Sequence, residues 1–371
     1  VWRGAILRGT TYLDNLTVKP LLPEARRAAE EALSMGLGDP RSTNAPGRQA
    51  QKVLDELESR IAGLLGGSRA VFFGDGDMAN GTAVLAAGRA ARERGKDHVV
   101  SSPVERSSIV CALRVLREEG SRISMMQSGK DGKVRPDSLE GIMEDGTGLL
   151  VCSWVNGISG VIQPVEDIAG KCRAGDVWLH CDACFALGRL PVAAGAAGID
   201  SMAVSSVQIG GPPGSATVIL RDDTPLPMAS VPEFSFCCNI PAISGMAAAL
   251  ESTRIGMKAR NRIVNQLRSD LLEGLDSCCL RYSIIGEKPD DLIPGTALLH
   301  LDRVAEKVHA RMESDGIVLP SHNSSERLSF LRRAGLDTTQ PDMFLGFTFD
   351  ACNTGADVQH FVRSLADIYS G

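Results

Sequence analysis

The chain has 371 residues, 43% of them hydrophobic and 23% charged, which suits a globular protein with a sizeable core split into one large and one smaller unit. A net charge of -6 argues against a nucleic-acid-binding surface over the whole molecule. No apolar run reaches the roughly 18–20 residues that a bilayer-spanning helix needs. Val1 to Thr11 carries Arg3 and Arg8 without the apolar stretch of a secretory leader, and the missing initial Met predicts that a residue or short segment precedes it. Ten cysteines in no regular framework read as free thiols in a reducing cytoplasm.

The pattern alternates helices and strands. A helix is predicted over 23–34, with Pro23 at its start and Gly36 as its stop. A second covers 49–65, where Val53, Leu54, Leu57, Ile61 and Leu64 fall at helical spacing. A short apolar strand over 70–73 runs into Gly74-Asp75-Gly76-Asp77 and a helix over 78–92. Then follow a strand at 98–101, a helix at 107–119, and strands at 123–126, 149–154, 177–181, 201–205 and 216–220. After Pro241 a long helix is expected over 242–275. Strands at 296–301, 317–319 and 345–349 and a helix at 358–368 follow. The alternation predicts βαβ units and a mostly parallel sheet, with ligands beyond the carboxyl ends of the strands. The division expected from this pattern is a large domain, 12–255, and a small C-terminal domain, 256–371 with 1–11.

Six motifs occur in a recognisable order. They are Tyr12-Leu13-Asp14-Asn15; Gly38 to Ser42 with Gly47-Arg48; Asn156 to Pro164; His180-Cys181-Asp182-Ala183; Ser205 to Gly214; and Gly316-Ile317. In this order the chain resembles the cysteine desulfurases, within the class V aminotransferases of pyridoxal phosphate (PLP) fold type I. The resemblance implies an α/β fold. It has a mostly parallel, seven-stranded-type sheet in the large domain and a smaller α+β domain at the C-terminus. It also implies a PLP site with a Schiff-base lysine, a ring-pairing aspartate, a stacking histidine, a phosphate turn at a helix N-terminus, a loop cysteine nucleophile and a carboxylate-binding arginine.

Position by position, the resemblance keeps Asp182 as the ring aspartate, Asn156 as the contact near the ring oxygen and Ser205 on the phosphate side. The rest departs. Gln208 stands at the lysine position and Val207 at the histidine before it. Arg106 replaces the stacking histidine, and Phe185 replaces a glutamine. Gly76 and Asp77 lie in the altered phosphate turn, and Cys237 aligns with a cross-subunit threonine. Ser324 or Ser325 takes the place of the nucleophilic cysteine, in a loop that includes His322, and Ala351 that of the arginine.

An amide nitrogen such as that of Gln208 forms no imine, and no lysine stands close to Gln208 along the chain. Carboxylates at Asp77 and, second, Asp75 are expected to cap their own helix and repel a phosphate. Arg106 is expected to fill the ring space and pair with Asp182. The pocket of Gly76, Asp77, Asn156, Asp182, Phe185, Ser205, Val207 and Gln208 therefore reads as vestigial, with no catalytic residue and no cofactor.

The function expected is a catalytically inactive, cysteine desulfurase-like protein. It would be a scaffold, regulatory or interaction subunit linked to iron–sulfur or sulfur-transfer machinery. Its partner would be a second copy, an active paralogue, or a sulfur or iron–sulfur protein. One alternative is a PLP enzyme with altered chemistry, or with a site completed by a partner. Another is a metal or iron–sulfur binder using Cys181 and Cys184, or Cys237 and Cys238; buried packing is the competing reading of these cysteines.

Overall fold

A computed structural model describes residues 9–221, 238–286, 288–302, 308–321, 324–337, 339 and 341–370. The chain opens with β1 (Thr11–Tyr12), α1 (Pro23–Ser34) and α2 (Ala45–Leu64). Helix α2 begins four residues before its predicted start. Asn44 Oδ1 accepts the Gly47 N–H at 2.8 Å and Pro46 fits the first turn, so the cap and not the apolar periodicity sets the boundary.

The large sheet forms from β2 (Arg69–Phe73), α3 (Gly76–Glu93), β3 (His98–Ser101), α4 (Ser107–Glu118), β4 (Arg122–Met125), β5 (Thr147–Ser153), α5 (Val165–Ala174), β6 (Trp178–Asp182), α6 (Ala194–Ala197), β7 (Ser201–Ser205) and β8 (Ala216–Leu220). Its order is β2-β8-β7-β6-β5-β3-β4. Strand β8 runs antiparallel to both neighbours, and the remaining pairings are parallel. Buried on both faces, β5, β7 and β8 are fully buried along their length, as expected where helices cover a parallel sheet. Leu149, Val151, Ala203 and Val218 meet α3 and α4 on one face, while Leu150, Cys152, Cys181 and Met202 join the core on the other.

Helix α7 (Ile240–Ser277) follows, capped by Asn239, whose Oδ1 accepts the Ala242 N–H at 3.2 Å. It runs unbroken through the division expected at 255–256. Its first half packs Ile240, Ile243, Met246 and Leu250 into the core of the large sheet. Its second half packs Val264, Leu267, Leu271 and Leu275 into a separate cluster with Leu299, Phe347 and Phe361.

That cluster draws on β9 (Tyr282–Ile284), β10 (Thr296–Leu301), α8 (Val308–Ser314), β11 (Ile317–Val318), β12 (Phe344–Thr348) and α10 (Gly355–Ser370), while α9 (Ser325–Arg333) packs Phe330 and Leu331 in a separate one with Val104, Leu298 and Phe344. Strands β12-β10-β9 form an antiparallel sheet. Strand β1 pairs in parallel with β11, Thr11 against Ile317, which ties the beginning of the chain to its C-terminal part. Among the described residues no helix is long and apolar enough to cross a membrane.

Candidate functional site

The loops that follow β3, β5, β6 and β7 meet at the carboxyl edge of the large sheet. Together with α9 and the turn after β11 they surround a cavity of about 240 Å³. Asp182 is the last residue of β6 and is 1% exposed in its side chain. Its Oδ1 accepts the Cys184 N–H at 3.0 Å, and its Oδ2 lies 3.4 Å from Nη1 of Arg106. Arg106 immediately precedes α4. Its Nε is 3.1 Å from Asp77 Oδ1, and its guanidinium stands 5.1 Å from the centre of the Phe185 ring. Burial opposes the charge of Arg106, but Asp182, Asp77 and Glu326 outweigh it and hold the guanidinium firmly protonated. Arg106, Asp182 and Phe185 thus form one packed unit, and Phe185 lies so close to Gly157 that a Cβ there would come within 2.3 Å of the ring.

The N-terminus of α3 is arranged differently from the sequence expectation. Asp75 is the cap, its Oδ1 accepting the Met78 N–H at 2.8 Å. Asp77 sits in the first turn and faces outward, 61% exposed, toward Arg106. The reason is geometric: a cap needs extended backbone, which Asp75 has at φ -156°, whereas Asp77 is already helical. Gly76 lies against the end of β7, where a Cβ would sit 3.0 Å from Cys184 Sγ and 3.2 Å from the Ser205 Cβ.

Asn156 lines the cavity, yet its side chain serves its own loop. Nδ2 donates to the Val104 carbonyl at 3.1 Å, while Oδ1 accepts the Ile158 and Ser159 N–H groups at 3.0 Å each. Val207, Gln208 and Ile209 form a single 3-10 turn ended by Gly210 at φ 77°. Gln208 Nε2 donates to the Thr17 carbonyl at 3.1 Å, and its buried Oε1 has no donor. Ser324 caps α9, accepting the Arg327 N–H at 3.2 Å. Ser325 opens α9.

Cys181 packs within the apolar core, and Cys184 Sγ lies 3.9 Å from Asn80 Nδ2. Burial pushes both thiols well above their ordinary range. Cys238 is half-buried, whereas Cys237 and His322 fall outside the described residues. Among the described residues no three His, Cys, Asp or Glu side chains converge as metal ligands would.

The structure adds four groups that the site reading passed over. Glu105 is buried beside Asp182, accepting the Ser153 N–H at 2.9 Å and its hydroxyl at 2.5 Å, and burial raises its pKa to about 7. Asp14 lines the cavity with a carboxyl also raised by burial. Lys19 lies far from Gln208 in sequence but beside it in space, its N–H bonded to the Val207 carbonyl at 2.9 Å. Its ammonium turns instead to Asp350 at 3.2 Å, and burial lowers its pKa to about 8. Arg327 is 2% exposed and lines the cavity. It shares the buried helical stripe of Phe330, Leu331 and Ala334, and a charged residue within so short a stripe masks it in the sequence.

Residues 11–232 match the family described as aminotransferase class-V, and the chain belongs to that family. The relatives it resembles are cysteine desulfurases by name. An IscS-like cysteine desulfurase of Mycobacterium tuberculosis is 29% identical over 286 residues, 72% of this chain and 72% of that one. A putative cysteine desulfurase IscS 1 of Bacillus subtilis is 22% identical over 377 residues, 96% of this chain and 98% of the other. Among solved structures, a NifS-like protein superposes with a TM-score of 0.87 at 20% identity, covering 97% of this chain and 99% of its own. The apo cysteine desulfurase of Thermococcus onnurineus gives 0.82 at 19% identity, covering 98% and 96%. The fold is that of the NifS-like PLP-dependent transferases.

Proposed function

We propose that this chain is a cysteine desulfurase-like protein without desulfurase chemistry, retained as a scaffold or regulatory subunit. The observation that carries this reading is the Arg106–Asp182 pair at 3.4 Å, with Gln208 at the end of the same cavity. The residues present do not fit PLP. A pyridinium nitrogen needs the carboxylate that Arg106 engages, and Phe185 and the guanidinium stack where a ring would lie. A Schiff base needs an amine where an amide stands. A phosphate at the N-terminus of α3 meets Asp75 on the N–H of Met78 and the carboxylate of Asp77 beside it. At the place of the family nucleophile, the described hydroxyl of Ser324 is engaged as a helix cap.

The partner is a second copy, an active paralogue, or a protein of iron–sulfur or sulfur transfer. The names of the relatives support that setting. The buried thiols of Cys152, Cys172, Cys181 and Cys184 suit a reducing cytoplasm. A second reading, an enzyme with altered chemistry, draws on Lys19 beside Val207. One preparation tests both. Protein purified and then incubated with PLP is expected to show no imine absorbance band and to release no sulfide from cysteine. A stoichiometric imine band that disappears in Lys19→Ala would establish the second reading and overturn the first.

A further inference from the structure

We propose that β9 docks an extended, acidic peptide segment of a partner protein, which joins the three-stranded sheet as a fourth strand. None of the residues along this edge lines the cavity at the strand ends, so docking here is independent of whether a cofactor enters that cavity. In the order β12-β10-β9 two strands lie at edges. The edge at β12 is covered, since Asp14 bridges Thr348 and the Thr348 N–H donates to the Leu13 carbonyl at 2.7 Å. The free edge of β9 pairs with no other strand among the described residues. In an antiparallel ladder, successive residues turn their N–H and C=O groups alternately toward the neighbouring strand and away from it. The Ile285 N–H donates to the Leu298 carbonyl at 2.9 Å and the Asp302 N–H to the Arg281 carbonyl at 3.2 Å, so Arg281, Ser283 and Ile285 face β10. Tyr282 and Ile284 therefore turn their N–H and C=O groups outward, which is the template that an added strand uses.

The surroundings narrow the partner. A cavity of about 640 Å³ lies along this edge, between β9 and the C-terminal part of α7. Leu272, Leu280, Ile284 and Leu292 give it apolar surface, which suits the alternate side chains of an extended segment. Arg268 is half-buried in the same walls and donates from Nη1 to the Thr296 carbonyl at 3.4 Å, which leaves further N–H groups of its fork for a carboxylate. Arg281 and Lys288 stand exposed on either side of β9, and neither makes an ion pair among the described residues. Against these three cations the walls hold two carboxylates, Asp302 and Asp276, the latter accepting the Tyr282 hydroxyl at 2.9 Å; Asp290 acts on Arg268 from outside them. The groove is thus positive in a chain of net charge -6, and it favours an acidic segment. A second copy would bring its own Arg281 and Lys288 to the same place, so these charges disfavour pairing of the edge with itself.

Fluorescence anisotropy of the full chain tests this with two labelled, end-blocked probes. One is the peptide Ser-Val-Glu-Val-Asp-Val-Ser, and the other carries Lys in place of its Glu and Asp. Saturable binding of the acidic probe is expected, with the lysine probe weaker by about tenfold or more. Ile284→Pro removes an outward N–H and no bond to β10, and a loss of about tenfold or more is expected. The double variant Arg281→Glu with Lys288→Glu alters two exposed side chains only, and a similar loss is expected there even if Ile284→Pro does not fold. Hydrogen exchange over residues 281–285, read by mass spectrometry, is expected to slow in the complex. No binding of the acidic probe, equal binding of the lysine probe, binding unchanged in the double variant, or binding that leaves exchange at β9 unaltered overturns the proposal. Protection of β9 before any peptide is added places a second copy or another part of the chain on this edge, and overturns it too.

Discussion

Arg106 holds together two carboxylates of very different exposure. Its pair with Asp77 reaches a side chain 61% exposed, and its pair with Asp182 one that is 1% exposed. Exposed pairs contribute about 0–1 kcal/mol, because water screens them and side-chain entropy opposes them. Breaking a buried pair leaves a charge without its partner and costs about 3–5 kcal/mol. Asp77→Asn is therefore expected to cost less than about 1 kcal/mol in urea denaturation, and Arg106→Met about 3 kcal/mol or more. Equal losses would mean that Asp182 is balanced by another group.

Glu105 gives a pH signature. Burial raises its pKa from 4.5 to about 7, so the folded state favours the protonated acid. Its stabilisation is complete below about 4.5 and is lost as pH rises through about 7. His180 acts with the opposite slope. Burial lowers its pKa from 6.5 to about 4, so its contribution is present above 6.5 and lost as pH falls through about 4. The difference between the unsubstituted chain and Glu105→Gln isolates the first effect. It is expected to move against the unsubstituted chain by on the order of 2–3 kcal/mol between about pH 5 and about pH 8. A difference that does not vary with pH would show an ordinary carboxyl at this position.

At the level of elements, α7 links the two packing clusters. Because it is continuous from Ile240 to Ser277, residues near the expected division are helical interior and not linker. Gly256→Pro removes one backbone bond and forces a clash with the preceding turn, an expected loss of about 3 kcal/mol or more. Far-UV circular dichroism with denaturation measures it, and a loss under about 1 kcal/mol would indicate that the two halves of α7 are independent. The start of this helix was legible because Pro241 marks it, and the structure adds the Asn239 cap. Helix α9 was not, since its apolar stripe is short and carries Arg327 among the buried positions. The cap of α3 was half legible: two aspartates flanked the turn, and only backbone geometry selected Asp75.

Over the whole molecule, alternation of apolar strands with amphipathic helices was enough to indicate a mostly parallel sheet. The order of six short motifs then identified the fold, because such motifs sit in loops whose positions the sheet dictates. The same local chemistry identified what Gln208 cannot do, since an amide forms no imine in any fold. What the sequence by itself determined is therefore the architecture, while the substitution of family groups is what the resemblance implies at aligned positions. Only the tertiary structure decided which side chains meet at the strand ends. Arg106 reaches Asp182 across 76 positions of chain, Lys19 comes beside Val207, and Arg327 is buried against the cavity. These are contacts between residues distant in sequence, and burial, which sets the cost of each charge, exists only once the chain has folded.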